Sequence, residues 1–408
     1  MVLKIVLATL AVLSLAFTFW QFVVAIRFPL HRRVTDNTFA PPVTLLKPLK
    51  GADAATRHCL ESWLKQDYAG PVQLLFGVAE ADDPVCEIVR QLISAYPDRD
   101  AGLLICGESL GPNSKASTLV QLHRQTRHDI VLVSDADVSV PPDFLVNVLA
   151  PLRDPAVGLV NCFYRLANPS TLAMQWEAIA INADFWSQVL QSKSLKPLDF
   201  ALGAVMATTR RRLDDVGGFD ALVGYLADDY QLGRRIARQG GRIVLSPGVV
   251  ECLESPKTWS DVWRHQVRWA RTIRVCQPVP YFFSILNNAT LWPLLCVQFS
   301  AVGPFNDWNR NADSFFGIGD MLVTRLWTTG AIPCTVLLLL SLGFRIFTAV
   351  HLQSRMNQSV RHRPYFWLVP IKDLLNAVVW ALAFLGNTVE WRDQRYRVRR
   401  GGKLVRYS

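Results

Sequence analysis

The chain has 408 residues, half of them hydrophobic, and a formal net charge of +10. The length allows two or three domains, and the apolar content is high for a soluble enzyme. Eight cysteines are scattered without a C-x-x-C pair or a Cys/His cluster, which argues against a disulfide framework and a zinc site.

The N-terminal segment has the pattern of a membrane anchor. The apolar run Ile5–Ile26 spans about 22 residues, against the roughly 20 needed to cross a bilayer and the 7–15 of a signal-peptide core. Arg27 and the triplet HRR at 31–33 follow at once, so the positive-inside rule places the next segment in the cytoplasm. We expect residues 1–27 to form an uncleaved transmembrane anchor.

Strand and helix patterns alternate from Val43 to about Arg274, beginning with the strand-like "VTLLKPLKG" and the helix-like "ATRHCLESWLKQDY". Three or four alternations with short turns predict an α/β domain with a mostly parallel sheet and helices on both faces. Ligands bind beyond the carboxyl ends of the strands in such sheets, where Asp82/Asp83 and Asp135/Asp137 fall. We assign residues 40–277 to this cytosolic domain.

Three apolar stretches follow, at roughly 281–302, 328–350 and 366–389. Three crossings would place the basic C-terminal tail outside the cell, against the positive-inside rule, so we expect one stretch to lie in the interface or to re-enter. The third is the first suspect because Lys372 and Asp373 interrupt it, and the first stretch is also a weak span because of Asn287, Asn288 and two prolines.

The tail "WRDQRYRVRRGGKLVRYS" carries seven basic residues and one acid. Because it directly follows a hydrophobic segment, an anionic membrane surface is favoured over nucleic acid as its partner. We assign residues 278–408 to membrane and interfacial helices with a basic tail.

Two acids, Asp135 and Asp137, follow the buried-looking run "IVLV". Mg²⁺ and Mn²⁺ prefer oxygen ligands, and Mg²⁺ commonly uses one or two carboxylates together with substrate phosphates. Asp is also common in strand-ending turns for purely structural reasons. However, acids follow the preceding strand too, and Lys115 in "GPNSKAS" is placed to reach a diphosphate. The pattern therefore predicts a Mg²⁺ or Mn²⁺ site at Asp135 and Asp137.

A second acidic pair, Asp228 and Asp229, begins the helical pattern in "GYLADDYQLGRRIARQG". One acid at a helix N-terminus is explained by the helix dipole, worth roughly 0.3–1 kcal/mol. Two adjacent acids are explained poorly in this way. A carboxyl beside another acid has its pKa raised toward the range of a general base.

Two further helical patterns each allow two interpretations. In "TWSDVWRHQVRWARTIR" the arginines 264, 268 and 271 share one face, which suits either a solvated face on a membrane or an anion site. Phe185, Trp186, Val189 and Leu190 also have helical spacing, which suits either plain core or the wall of a lipid pocket.

Taken in order, these motifs resemble inverting membrane glycosyltransferases of the family-2 type and, more narrowly, are similar to the ceramide glucosyltransferases. The matching pieces are "TLLKPLKG", "DDP", "GPNSK", "SDADV", "GGF", "LADDY" and "RW", with the anchor and the "WRDQRYRVRRGGK" tail. The combination is specific, although no single piece is. The resemblance implies a GT-A-type fold and inverting transfer of a sugar, with UDP-glucose as the expected donor, to the hydroxyl of a membrane lipid such as ceramide.

The resemblance also assigns roles to the acids. Asp83 would lie near the nucleotide, and Asp135 would contact the donor and hold the metal together with Asp137. Asp229 would be the base that activates the acceptor. Lys115, inferred above from its charge and position, remains the candidate contact to the diphosphate.

The family's (Gln/Arg)-x-x-Arg-Trp motif matches at its last two positions, Arg268 and Trp269. His265 occupies the first position, which is a departure, and Gln266 lies one place too late to replace it. A histidine there can still donate to a phosphate.

Two other functions stay open. The bacterial hopanoid-linked glycosyltransferases, which the stretches "WRHQVRWARTIR" and "LSPGVVE" resemble as closely, imply transfer of GlcNAc from UDP-GlcNAc to a hopanoid polyol. A catalytically inactive, membrane-tethered UDP-sugar-binding protein is the second alternative, and the intact Asp135, Asp137 and Asp229 argue against it.

Overall fold

The computed structural model describes residues 2–34, 36, 38–308, 331–357, 365–391 and 394–406. Its α-helices are α1 (Val2–Arg27), α2 (Thr56–Leu64), α3 (Val85–Ala95), α4 (Ser114–His123), α5 (Phe144–Leu149), α6 (Leu172–Ile179), α7 (Trp186–Leu195), α8 (Arg210–Asp215), α9 (Asp228–Arg238), α10 (Trp259–Cys276), α11 (Pro278–Phe283), α12 (Leu291–Trp308), α13 (Ala331–Met356) and α14 (Leu368–Phe384). Its strands are β1 (Val43–Leu49), β2 (Val72–Val78), β3 (Asp100–Ile105), β4 (Ile130–Ser134), β5 (Val138–Ser139), β6 (Val157–Leu166), β7 (Val205–Thr209), β8 (Arg242–Cys252), β9 (Thr388–Trp391), β10 (Gln394–Val398) and β11 (Leu404–Arg406).

An eight-stranded sheet with the order β3-β2-β1-β4-β7-β6-β8-β5 forms the centre of the α/β domain. Strands β3, β2, β1 and β4 are parallel to one another, and so are β6 and β8. Strand β7 is antiparallel to both of its neighbours, and β5 is antiparallel to β8. The prediction of an α/β fold with a mostly parallel sheet is confirmed.

The register of the sheet collects several loops at one edge. Val43 of β1 pairs with Val72 of β2 and with Ile130 of β4, so these three parallel strands begin side by side and their carboxyl ends lie at the same edge of the sheet. Because β7 runs the opposite way, its first residue Val205 pairs with Ser134, the last residue of β4. The loop that enters β7 therefore lies at the edge where β1, β2 and β4 end.

Helices cover both faces of the sheet with two apolar cores. Trp186, Val189 and Leu190 are buried in the second core, so the core interpretation holds for these residues. Phe185 packs at its margin and belongs to a π-helical turn, Ala180–Phe185, that joins α6 to α7. Such turns are rare in proteins overall, and those that do occur are often found at functional sites.

Two of the described helical segments, Val2–Arg27 and Ile332–Met356, are long and apolar enough to cross a membrane. Pro278–Asn287 and Leu291–Ser300 form a pair bent by 55°, which has the shape of a broken span or a re-entrant loop. Helix α14 has 17 residues, fewer than the roughly 20 that a crossing requires. The third apolar stretch of the sequence thus forms α14, and its last residues lie in β9.

The C-terminal tail folds as a small antiparallel sheet, β11-β10-β9. It docks on the segment before α9, where Leu404 N–H donates to the Gly224 carbonyl at 2.8 Å and Leu226 N–H donates to the Gly402 carbonyl at 3.1 Å. The sequence predicted a tail at a membrane surface; the structure places β11 and the turn before it against the α/β domain, beside α9.

Candidate active site

Asp135 and Asp137, called here the D-x-D acids because one residue separates them, lie at the end of β4. The turn that carries them, the D-x-D turn, is fixed through its backbone. Asp135 N–H donates to the Ala204 carbonyl at 3.0 Å, in the loop that enters β7. The Asp137 carbonyl accepts from Leu253 N–H at 3.0 Å and from the Cys59 thiol at 3.2 Å. Three separate segments therefore hold this turn, and both carboxylates stay partly exposed.

A fully buried lysine, Lys47 of β1, holds the same turn through hydrogen bonds. Its ammonium donates to the Asp135 carbonyl at 2.7 Å and to the Ser134 hydroxyl at 3.1 Å, and it lies 5.0 Å from the centre of the Trp63 ring. Burial lowers the pKa of Lys47 to about 8, against the opposing effect of nearby acids. Sequence reasoning missed this residue, although a lysine inside the apolar run "VTLLKPL" was a signal.

Lys115 joins the two acidic pairs. It lies in the first turn of α4, whose N-terminus is capped by Asn113. Its ammonium is 2.5 Å from Asp135 Oδ1 and 3.5 Å from Asp228 Oδ2. Burial alone would lower the pKa of Lys115, but Asp135 and Asp228 outweigh it and raise that pKa above its ordinary value. The side chain is therefore a permanent cation between the carboxylates.

Asp229, the predicted base, lies on α9 at the edge of the sheet where β4 ends. Its Oδ2 accepts from Gly203 N–H at 2.6 Å, and its Oδ1 accepts from Tyr230 N–H at 2.7 Å. Burial, and after it the adjacent Asp228, raises the pKa of Asp229 to about 6, which is a useful range for a general base.

The short loop before β7 links Asp229 to the D-x-D turn. Gly203 binds the carboxylate of Asp229, and the next residue, Ala204, binds the backbone of Asp135. Ala204 has φ of 87°, a left-handed conformation that costs a residue with a Cβ roughly 1–2 kcal/mol. Strain of this kind clusters at functional sites.

Asp83 lies where β1 and β2 end. Its carboxylate accepts from Gly51 N–H at 2.9 and 3.0 Å and from Val85 N–H at 3.0 Å. Gly51 has a left-handed φ of 70°, which a glycine adopts without strain. Asp83 therefore fixes the loop after β1 as well as its own loop.

His265 lies on α10, and its Nδ1 forms an ion-pair contact with Glu177 of α6, which is fully buried. Gln266 also donates to Glu177, at 3.2 Å, and Lys257 lies 3.6 Å from its other oxygen. Because a carboxylate only accepts, Nδ1 carries the hydrogen, and Nε2 can donate to a ligand only when the ring is protonated. The single acid in "LAMQWEAI" was the overlooked signal.

Trp269 of α10 belongs to a row of neighbouring rings that extends to Tyr164 of β6. Its ring centre is 4.8 Å from that of His265 and 5.8 Å from that of Phe185, which lies 5.9 Å from Tyr164. Burial raises the pKa of Tyr164 well above its ordinary value, and Asp229 adds to this effect. Arg268 lies on α10 beside Trp269.

Residues 6–308 and 318–404 match the sequence model of glycosyl transferase family 21. The chain belongs to this family. It is 22% identical over 406 residues to ceramide glucosyltransferase 3 of Caenorhabditis elegans, covering 97% of this chain and 82% of that protein. It is 26% identical over 314 residues to the beta-monoglucosyldiacylglycerol synthase of Synechocystis, covering 76% of this chain and 59% of that protein.

A solved mannosyltransferase from Pyrobaculum calidifontis, in complex with GDP-Man and Mn²⁺, is 21% identical with a TM-score of 0.49 and covers 87% of this chain and 98% of that chain. Family membership over nearly the whole chain makes the protein a glycosyltransferase, as predicted. The similarity to ceramide glucosyltransferases noted from the motifs is likewise confirmed.

The acids of this family 21 site fit a divalent cation. No cluster of three or more His, Cys, Asp or Glu side chains suited to a metal occurs among the described residues; the carboxylates that would hold the ion are those of Asp135 and Asp137. Burial, and after it the nearby acids Asp135 and Glu254, raises the pKa of Asp137 to about 7, and a cation held between the two carboxylates would favour their ionised form. Mg²⁺ typically completes such a site with substrate phosphates and water.

Proposed function

We propose that this family 21 glycosyltransferase transfers glucose from UDP-glucose to the hydroxyl of a membrane lipid, with ceramide as the first candidate, and inverts the configuration at the sugar C1. The names of the relatives support the sugar and the lipid. Two apolar helices long enough to cross a membrane support a bilayer substrate.

The observation that carries the proposal is the Gly203–Ala204 loop, in which two consecutive residues bind the carboxylate of Asp229 and the backbone of the D-x-D turn and so hold these two groups near each other. Asp229 takes the proton from the lipid hydroxyl while the hydroxyl oxygen attacks C1 of the sugar. The bond from C1 to the UDP oxygen breaks in the same step. Lys115 faces the leaving diphosphate. A divalent ion bound at Asp135 and Asp137 would neutralise the charge that develops there.

The remaining predicted residues receive supporting roles in this proposal. Asp83 is assigned to the nucleotide because it lies at the ends of β1 and β2, beyond the edge where such sheets bind ligands. His265, Arg268 and Trp269 are assigned to the diphosphate side, with Glu177 orienting the imidazole of His265.

The ends of α1 and α13 support a cytosolic catalytic domain. Arg355 at the end of α13 donates to the Phe28 carbonyl at 2.7 Å, and its own carbonyl lies 2.8 Å from His31 Nε2. The basic residues that follow α1 therefore gather with Arg355 on one side of the membrane, and the positive-inside rule makes that side the cytoplasm.

Diacylglycerol is a second candidate acceptor, because the Synechocystis relative matches over three quarters of this chain. Like ceramide, it is an uncharged lipid with a free hydroxyl. The mechanism and every assigned residue are the same for both acceptors.

The test supplies UDP-glucose or UDP-GlcNAc with Mn²⁺ to purified protein in nanodiscs that contain ceramide, diacylglycerol or bacteriohopanetetrol, with products identified by mass spectrometry. We expect a hexosylated ceramide or diacylglycerol, lost in Asp229→Asn while UDP-glucose still binds. Asp215→Asn is the matched control, since this acid is exposed and remote from the edge of the sheet. A GlcNAc-hopanoid product would overturn the sugar and the lipid, and full activity of Asp229→Asn would overturn the base.

A further inference from the structure

A cavity of about 230 Å³ lies between the catalytic domain and the membrane helices. Its walls come from the π-helical turn at 180–185, from α10, from α11 and the turn after it, and from α13 and α14. The volume is below the roughly 300–1,000 Å³ of pockets that enclose drug-sized ligands. It suits the head group of a lipid rather than a whole lipid.

The charged residues that line this cavity balance one another. Asp184 and Asp373 are the described acids in its wall, and Arg345 and Lys372 are the described cations. Arg345 lies 2.5 Å from Asp184 and 2.9 Å from Asp373, and Lys372 pairs with Asp184. All the described lining cations are thus already neutralised by a carboxylate, so the cavity offers no spare positive charge for a phosphate.

One face of α14 lines the same cavity, and it includes the uncharged amide side chain of Asn376. Lys372, Asp373, Asn376, Val379 and Trp380 line it, at the spacing of a single helical face. Within the described part of the chain no hydrogen bond occupies the partly buried Asn376 amide. An amide offers two donor hydrogens and an acceptor oxygen, which match the hydroxyl and carbonyl groups of a neutral lipid head.

The cavity borders the α10 motif on one side and an apolar surface on the other. Trp269 and Phe185 both line it, and their ring centres are 5.8 Å apart. On the other side its wall includes Pro280 and Tyr281 of α11, the helix that exposes Val279, Phe282 and Phe283 to the surroundings. Exposed apolar side chains beside a polar cavity fit acyl chains that stay in the bilayer.

We propose that this cavity binds the head group of the acceptor lipid, that it selects lipids with an uncharged, hydroxyl-bearing head over anionic phospholipids, and that Asn376 contacts that head group. The inference rests on the proposed function, because it assigns a site to the lipid acceptor. It narrows the acceptor to the chemical class shared by ceramide and diacylglycerol.

The test compares Asn376→Leu with Val378→Leu, a control on the same helix that receives the same new side chain but does not line the cavity. With ceramide in nanodiscs, Asn376→Leu should raise the acceptor KM about two- to tenfold for each hydrogen bond lost. Its KM for UDP-glucose should stay within about twofold, and Val378→Leu should match the unchanged protein. Equal acceptor KM values in the two variants would overturn the role of Asn376.

A binding measurement separates this inference from the catalytic proposal. Asp229→Asn protein in nanodiscs is irradiated with photoactivatable ceramide or photoactivatable phosphatidic acid, and the labelled peptides are mapped. We expect ceramide to label the cavity wall and an excess of ordinary ceramide, but not of phosphatidic acid, to suppress the labelling. Equal labelling by phosphatidic acid, or ceramide labelling elsewhere, overturns the cavity assignment while leaving the proposed function intact. If the unchanged protein glycosylates no lipid, the proposed function fails and the cavity assignment with it.

Discussion

The environment of Asp229 predicts a specific pH dependence. Its pKa is raised to about 6 by burial and by the adjacent Asp228, so the carboxylate needed for proton abstraction is lost as the pH falls through 6. With a pKa near 6, about nine-tenths of the free enzyme is ionised at pH 7 and about one-tenth at pH 5. The value of kcat/KM for the acceptor should therefore fall about tenfold below its plateau by pH 5.

Replacing Asp228 with Asn tests the cause of this shift. Removing the neighbouring negative charge favours the Asp229 carboxylate, so the acid limb should move below pH 6. Burial, the larger cause, remains, so the limb should stay above the roughly 3.9 of a free Asp.

The assay measures initial rates of UDP release from pH 4.5 to 8 and compares, for each protein, the ratio of kcat/KM at pH 5 to that at pH 7.5. This ratio cancels any loss of plateau rate that follows from disturbing the Asp228–Lys115 pair. Asp228→Asn should show a larger ratio than the unchanged protein, and the exposed Asp215→Asn should not. A profile that is flat between pH 5 and 7, or a limb that stays in place in Asp228→Asn, would refute the reasoning.

Three further predictions concern the metal, the strained loop and the buried ion network. EDTA should abolish transfer, Mn²⁺ should restore it, and Asp137→Ala should need more Mn²⁺ for half-maximal rate; unchanged activity in EDTA would exclude a metal role. Ala204→Gly should leave the thermal unfolding temperature unchanged or higher because it relieves a left-handed φ, whereas Ala207→Gly in β7 should lower it by the equivalent of about 0.5–1 kcal/mol. Arg345→Met should destabilise the protein by about 3–5 kcal/mol, since it leaves the two buried carboxylates of Asp184 and Asp373 to share Lys372, with one negative charge uncompensated, and adding Asp373→Asn should recover part of that loss in detergent melts.

The sequence was sufficient for the features that depend on local patterns. The apolar alternation predicted the α/β class, and the strand-ending position of Asp135 and Asp137 predicted the edge at which they lie. Asp229 was predicted as a base because an acid pair at one helix start exceeds what the dipole explains, and this role stays a prediction. These signals depend on residues a few positions apart, which a single sequence displays directly.

The contacts missed from the sequence join residues far apart in the chain. Lys372 and Asp373 were taken only as an interruption of an apolar stretch, because their partners Asp184 and Arg345 lie on other helices. The antiparallel insertion of β7, which brings Gly203 to Asp229, also depends on long-range pairing that no local pattern contains.

The contact between the buried acid Glu177 and His265 also joins residues far apart in the chain, so the sequence does not reveal it. His265 was interpreted from its place in a motif, as a donor to phosphate. Its Nδ1 is instead committed to Glu177 on another helix, which leaves Nε2 for any ligand. The motif position thus drew attention to His265, but it could not show which of its ring nitrogens is available to a ligand.

The measurement that tests the central claim most directly is the anomeric configuration of the lipid product made from UDP-α-glucose, read from the C1–H1 coupling by NMR. Attack by a hydroxyl that Asp229 has activated, on the face opposite the leaving UDP, predicts a β-linked glucoside in a single displacement. An α-linked product would contradict the account, because retention requires a different sequence of steps from the one that Asp229, Lys115 and the D-x-D acids are proposed to perform.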